Sequence, residues 1–178
     1  ATVKFGTADA SNGGSGGPSG RAVTGTDNAI TLPTGLTSLG NNAFAGTKAT
    51  AVDLSQVTGL TTIGENVFKD MASLAEVKLP ASITTINQSA FQNDAALKKL
   101  STEEAKAARD GSDTTPTEGT ATFGKSLTAI RDNAFQGTGF TTVDLSQAVG
   151  TTTSGGSGTQ TPARTLSVGS GAFTNMAN

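Results

Sequence analysis

An aliphatic residue followed by Phe five positions later occurs five times along this chain. In four copies a Leu or Ile stands three positions before the aliphatic residue, and the fifth copy has Thr165 there. Five matches at fixed offsets define an internal repeat, which is typical of stacked-repeat folds. The aliphatic residues and their phenylalanines are Leu39 and Phe44, Ile63 and Phe68, Ile86 and Phe91, Ile130 and Phe135, and Val168 and Phe173.

A second element, a Val-x-Leu alternation, follows three of these phenylalanines by eight or nine residues. It begins at Val52, Val77 and Val143. An alternation of period two predicts a very short strand with one buried face. The closely spaced phenylalanines are 24 and 23 residues apart (68 − 44 and 91 − 68), a repeat length in the range of leucine-rich repeats.

One repeat of this size cannot bury its own Phe and aliphatic residue, whereas stacked repeats bury them in a continuous column. The sequence therefore predicts a β-rich leucine-rich-repeat solenoid of about five short-strand rungs, forming a single array over residues 1–178. The ten residues of the five pairs named above are expected to form the buried column.

Three stretches lengthen the spacing between repeats and are rich in Gly, Ser, Thr or Pro, so they are predicted to be inserted loops. They span about 6–28, 101–120 and 146–158. The middle one starts with a capping box, Ser101-x-x-Glu104, and predicts a short helix over 102–110. Insertions often lie on the binding edge of a repeat protein. Glycine-rich loops without aromatics are poor binding hot spots, however, so a spacer role is favoured.

The repeat resembles the BspA-like leucine-rich repeats of bacterial and some protist surface proteins. The resemblance covers most of 29–100 and 121–178, and it implies the solenoid fold and a location outside the cell or on the surface of a bacterium. Family members commonly carry Cys soon after the Phe, where this chain has Gly46-Thr47 and Gly137-Thr138. The stretches that carry the resemblance are ITLPTGLTSLGNNAF (30–44), VKLPASITTINQSAF (77–91) and LTAIRDNAF (127–135).

The composition excludes several kinds of chemistry. The chain has no Cys and no His, so disulfides, cysteine zinc sites and His-based triads are impossible. The net charge of −2 gives no electrostatic reason to expect nucleic acid as a partner. No run approaches the roughly 20 apolar residues of a membrane span. We expect no catalytic residue, no cofactor and no metal site.

Two local motifs that could carry chemistry have structural explanations. Residues 119–126, GTATFGKS, fit the phosphate-binding pattern G-x-x-x-x-G-K-S. That loop requires a strand before it and a helix after it, whereas here a repeat unit follows. The acidic pairs at 103–104 and at Asp110 and Asp113 fit no calcium loop, because their spacing and carboxylate density are too low.

The two ends of the chain have complementary patterns. Five residues follow Phe173, although the repeat requires a Val-x-Leu strand eight or nine positions later. Val3-Lys4-Phe5 is an apolar alternation with no Phe unit before it, and joining the ends places Val3 eight residues after Phe173 (5 + 3). The predicted head-to-tail interface comprises Val3, Lys4, Phe5, Phe173 and Met176.

Two interpretations of these ends stay open. Either the 178 residues are cut from a longer array, or subunits stack head to tail, with the N-terminal strand of one completing the last rung of the next.

The leading functional prediction is a non-catalytic extracellular structural protein, a subunit of a surface filament or adhesive fibre whose partner is itself. The alternative is a cell-surface binding module that recognises a host protein or a glycan. Eight Phe and no Trp or Tyr leave few aromatics for a binding surface, which favours the structural role.

Overall fold

A computed structural model describes the strand at residues 2–3 and residues 29–102, 117–148 and 165–177. These residues form twelve short strands, and no helix occurs among them. The predicted loop at 6–28 lies outside the described part, as do 103–116 of the second predicted loop and 149–158 of the third. So does the predicted helix, apart from Thr102, which belongs to a strand.

The strands form two parallel layers whose buried side chains meet in one core. The first sheet contains β2 (Ala29–Thr31), β4 (Ala51–Asp53), β6 (Glu76–Leu79), β8 (Lys99–Thr102), β9 (Thr120–Thr122) and β11 (Thr142–Asp144), in the order β11-β9-β8-β6-β4-β2. The second layer contains β1 (Thr2–Val3), β3 (Ser38–Leu39), β5 (Thr62–Ile63), β7 (Thr85–Ile86), β10 (Ala129–Ile130) and β12 (Ser167–Val168).

In the second layer, β12, β10, β7 and β5 form one hydrogen-bonded ladder, and β1 pairs with β3. β3 lies beside β5, so the layer runs continuously from β1 to β12. Both layers therefore contain six strands. The short strands arise because each rung alternates an outward polar residue with an inward aliphatic one, as in Thr62 and Ile63.

A six-residue turn follows each strand from β3 to β12 in the second layer and carries the Phe at its fourth position; we call these the phenylalanine turns. They span 41–46, 65–70, 88–93, 132–137 and 170–175. Their second and sixth residues have positive φ, a conformation that Gly, Asn and Asp adopt most readily. The positive-φ residues are Asn42, Gly46, Asn66, Asp70, Ser89, Asn93, Asn133, Gly137, Gly171 and Asn175.

Successive phenylalanine turns are joined by backbone hydrogen bonds of constant direction. The N–H of each Phe donates to the residue before the next Phe, as Phe68 does to the Ala90 carbonyl at 2.9 Å and Phe135 to the Ala172 carbonyl at 2.8 Å. The second and sixth residues of each turn donate in the same way. The turns therefore stack with every donor row facing the C-terminal end of the solenoid.

The five phenylalanine rings form one stack, with centroid separations of 5.5, 5.2, 5.2 and 5.6 Å from Phe44 to Phe173 and interplanar angles of at most 15°. This confirms the predicted leucine-rich-repeat solenoid. The neighbouring aliphatic residues Leu39, Ile63, Ile86 and Ile130 are buried.

The structure differs from the expectation at Val168, which is 47% exposed. Phe173 is only half-buried. Both belong to the last described rung, where β12 has β10 as its one described partner strand. Val168 and Phe173 therefore have a described rung on one side only, and the other side of each stays exposed.

The middle insertion begins later than the sequence suggests, because Ser101 and Thr102 extend β8. When the chain returns, β9 pairs with β8 in parallel, whereas β10 pairs with β7. The insertion thus adds a strand to the first sheet alone. Phe123 and Phe140 pack edge-on against Phe135 at 5.6 and 6.1 Å and fill the core at this level.

Replacing Phe68 by Ala should lower the free energy of unfolding by about 3–5 kcal/mol, because the ring is fully buried between two others. Urea denaturation followed by circular dichroism measures this. Phe173→Ala is the matched control, since its half-buried ring has one stacked neighbour. Equal losses for the two variants would contradict a stack whose ends are weaker than its middle.

Candidate functional site

The C-terminal end of the solenoid exposes apolar side chains that the inner rungs bury. Val168 is 47% exposed, whereas Ile63 and Ile86 at the same position of inner rungs are 0% exposed. Other apolar side chains at this end are half-buried and pack against the core. We call this surface the C-terminal end face; it consists of Val143, Leu145, Leu166, Val168, Phe173 and Met176.

Backbone N–H groups at the same end have no acceptor among the described residues. Each inner phenylalanine turn donates three N–H groups to the turn that follows. In the last turn the corresponding donors are Gly171, Phe173 and Asn175, and the described residues offer them no acceptor. Exposed strand and ladder edges of this kind are templates for further pairing.

The N-terminal end of the solenoid is formed in part by β1. The spacing of the chain ends predicts Val3 in a Val-x-Leu strand of the first sheet. The structure instead places it in the second layer, where Thr2 pairs with Ser38 and Val3 with Leu39. In sequence, the Thr-Val pair resembles Thr62-Ile63, a polar β-branched residue followed by an aliphatic β-branched one. Lys4 and Phe5 lie outside the described residues.

The two groups of predicted interface residues lie at opposite ends of the second layer. Val3 is in β1, and Phe173 and Met176 follow β12. Unlike the C-terminal end face, the first complete rung is covered, since Leu39 is 7% and Phe44 6% exposed. The placement is compatible with contact between different molecules and excludes contact between these residues within one molecule.

Of the described strands at the two ends of the solenoid, only β11 carries a charged residue, Asp144. In the described chain from residue 29 onwards, every charged residue lies between Lys48 and Asp144. The inner rungs form outward ion pairs, with Lys78 Nζ 3.8 Å from Asp53 Oδ2 and Lys99 Nζ 3.4 Å from Glu118 Oε2. Edge strands of soluble proteins are commonly protected by charges; the described strands β2 and β12 carry none, and β11 carries Asp144 alone.

A buried carboxyl group lies in the middle of the solenoid. Asp94 is 0% exposed; its Oδ1 accepts the Met71 N–H at 2.7 Å, and its Oδ2 has no partner. Burial raises the pKa of Asp94 to about 9, the Met71 hydrogen bond opposes this, and the charge of Asp70 adds to it. The side chain is therefore neutral at pH 7.

Sequence reasoning missed Asp94. It stands three residues after Phe91, where the other rungs carry Thr47, Met71, Thr138 and Met176. A single carboxyl group among neutral residues at one repeat position is the signal that could have identified it. With no solvent access and no second functional group aimed at it, Asp94 has a structural role.

The arrangement offers little for catalysis. Gly119 to Ser126 contain the end of a turn, β9 and a second turn, and β10 follows where a phosphate-binding loop would require a helix. No group of three acidic side chains among the described residues could hold a metal ion. The described chain also contains no helix long and apolar enough to cross a membrane.

The family model of the BspA-type leucine-rich-repeat region matches residues 25–108 and 118–155 in six copies. The chain belongs to this family, as the resemblance in its repeats indicates. Leucine-rich-repeat solenoids of this kind are generally non-catalytic. No curated protein matches the chain.

The buried carboxyl group predicts a pH-dependent stability. The pKa of Asp94 is about 9 when folded and near its ordinary 3.8 when unfolded, so between these values the folded state holds a proton that the unfolded state lacks. The contribution of Asp94 to the free energy of unfolding is greatest below about pH 4. As the pH rises from there to 9, this contribution falls by up to about 1.4 kcal/mol per pH unit. Asp94→Asn should therefore be more stable than the parent chain at pH 8.

Urea unfolding at pH 5, 6.5 and 8 measures this dependence. Glu65→Gln is the matched control, because it makes the same chemical change at an exposed carboxylate. The contrary outcome is that the parent chain and Asp94→Asn show the same change in the free energy of unfolding across the three pH values. That result would show that Asp94 is ionised in the folded state.

Proposed function

We propose that this protein is a non-catalytic structural component of the bacterial cell surface, which polymerises head to tail into a filament or adhesive fibre. The observation that carries the proposal is the apolar C-terminal end face, together with the N–H groups of the last turn for which the described residues offer no acceptor. Membership of the BspA-type family supports the surface location. The partner is a second copy of the same chain.

The geometry of the solenoid determines what such a contact would build. A contact between the C-terminal end of one subunit and the N-terminal end of the next is heterologous, and its repetition gives an open filament unless it closes into a ring. All ladders are parallel, so stacking continues along one axis. Six strands per layer at about 4.8 Å each give an axial advance of about 29 Å per subunit.

A binding module for a host protein or a glycan is the alternative proposal. The outward face of the first sheet would supply the surface, with Asp53, Glu76 and Lys78 in contact at its centre. The aromatic residues that dominate binding hot spots are absent from it, because all the described phenylalanines are buried or half-buried. The structural role is therefore preferred.

Replacing Val168 by Asp should abolish assembly, since a carboxylate would be buried without a partner in the contact. Electron microscopy and sedimentation velocity of the purified protein measure this assembly. The expected result is fibres for the parent chain and monomers for the variant, with circular dichroism unchanged.

Thr61→Asp is the control for that experiment, because Thr61 is exposed beside β5 in the middle of the solenoid. It should assemble like the parent chain. Fibres formed equally by all three proteins would exclude the C-terminal end face as the contact, and a parent chain that stays monomeric at high concentration would exclude the filament.

A further inference from the structure

We propose that β1 is the bridging strand of the filament: it pairs with β3 of its own subunit on one edge and with β12 of the preceding subunit on the other. The inference rests on the proposed head-to-tail assembly and names the residues that make its joint. It replaces the arrangement expected from sequence spacing, in which Val3 would extend the first sheet.

The number of strands makes the two ends compatible. The insertion between β8 and β9 adds one strand to the first sheet, and β1 adds one to the second layer, so each has six strands among the described residues. The first sheet then ends at β2 and β11, and the second layer ends at β1 and β12. A stacked neighbour can therefore continue both layers at once, β2 on β11 and β1 on β12.

The register of the existing ladders fixes the pairs across the joint. Within the subunit, Val3 pairs with Leu39 and Val168 with Ile130. Continuing the same register places Val3 of one subunit opposite Val168 of the preceding one, and Thr2 opposite Ser167. The joint thus places β1 beside Val168, the large hydrophobic residue that is exposed in the last described rung.

The first sheet gives an equivalent match. Its inward residues form the row Ile30, Val52, Val77, Leu100, Ala121 and Val143. In the joint, Ile30 would follow the half-buried Val143, and Thr31 would lie opposite Asp144. Asp144 would face the uncharged Thr31, so the contact brings no like charges together among the described residues.

The absence of native cysteine allows a direct test by disulfide cross-linking of a Thr2→Cys/Ser167→Cys double variant. Neighbouring parallel strands lie about 4.8 Å apart, within the Cα separation that a disulfide spans. Inside one molecule the two positions are separated by five strand spacings, about 24 Å. Oxidation should therefore give a ladder of covalent oligomers on a non-reducing gel, which collapses to monomer with reductant.

Thr2→Cys/Thr85→Cys is the matched control, because β7 already has β5 and β10 on its two edges. It should give no ladder. A second pair, Thr31→Cys/Asp144→Cys, tests the first-sheet half of the joint independently and also covers the case in which the first variant does not fold.

The outcomes separate this inference from the proposed function. Ladders from both designed pairs support the joint. Fibres in the electron microscope without cross-linking above the control would overturn the bridging role of β1 and leave the filament standing. A chain that forms neither fibres nor cross-links would overturn both.

Discussion

The stacked phenylalanine turns are the interaction on which the rest of this structure depends. A single turn cannot bury its own ring, and each inner ring lies between two others at 5.2–5.6 Å. The N–H donors of each turn are satisfied by the carbonyls of the next. Burial and hydrogen bonding therefore both come from the neighbouring rung, as in other solenoids. The last rung of any such stack stays open until another rung covers it.

The stack was predictable because it depends on spacing alone. Phe residues at fixed offsets from aliphatic residues define which side chains meet, and Asn or Gly beside them accommodates the positive φ of the turns. The position of β1 was not predictable in this way. Thr2-Val3 fits both the alternation of first-sheet strands and the Thr-Ile pattern of the second layer, and only pairing in three dimensions distinguishes them. The added strand β9 was hidden for a related reason, because its inward residue, Ala121, is too small to continue the aliphatic pattern.

Burial at the candidate site was predictable only where the repeat continues on both sides. Val168 follows the same pattern as Ile63 and Ile86, yet it is exposed because its rung is the outermost described one. Asp94 shows the converse case, a polar residue buried by the repeat position it occupies. A carboxyl group in such a position tolerates burial by remaining protonated. The sequence shows that position 94 is an Asp, but its burial depends on the rungs stacked on either side and could be seen only in the structure.

The distribution of charge favours growth along the axis over association side by side. A contact through the first-sheet face would remove water from the ion pairs that Lys78 and Lys99 make there, and such desolvation offsets much of the gain from a contact. A contact through the end rungs involves one charged residue of the described end strands, the half-buried Asp144, and covers apolar surface, which is favourable in proportion to its area. The exposed apolar residues of the last described rung therefore mark the surface where association costs least. Because the donor rows all face one way, association there also has a defined polarity.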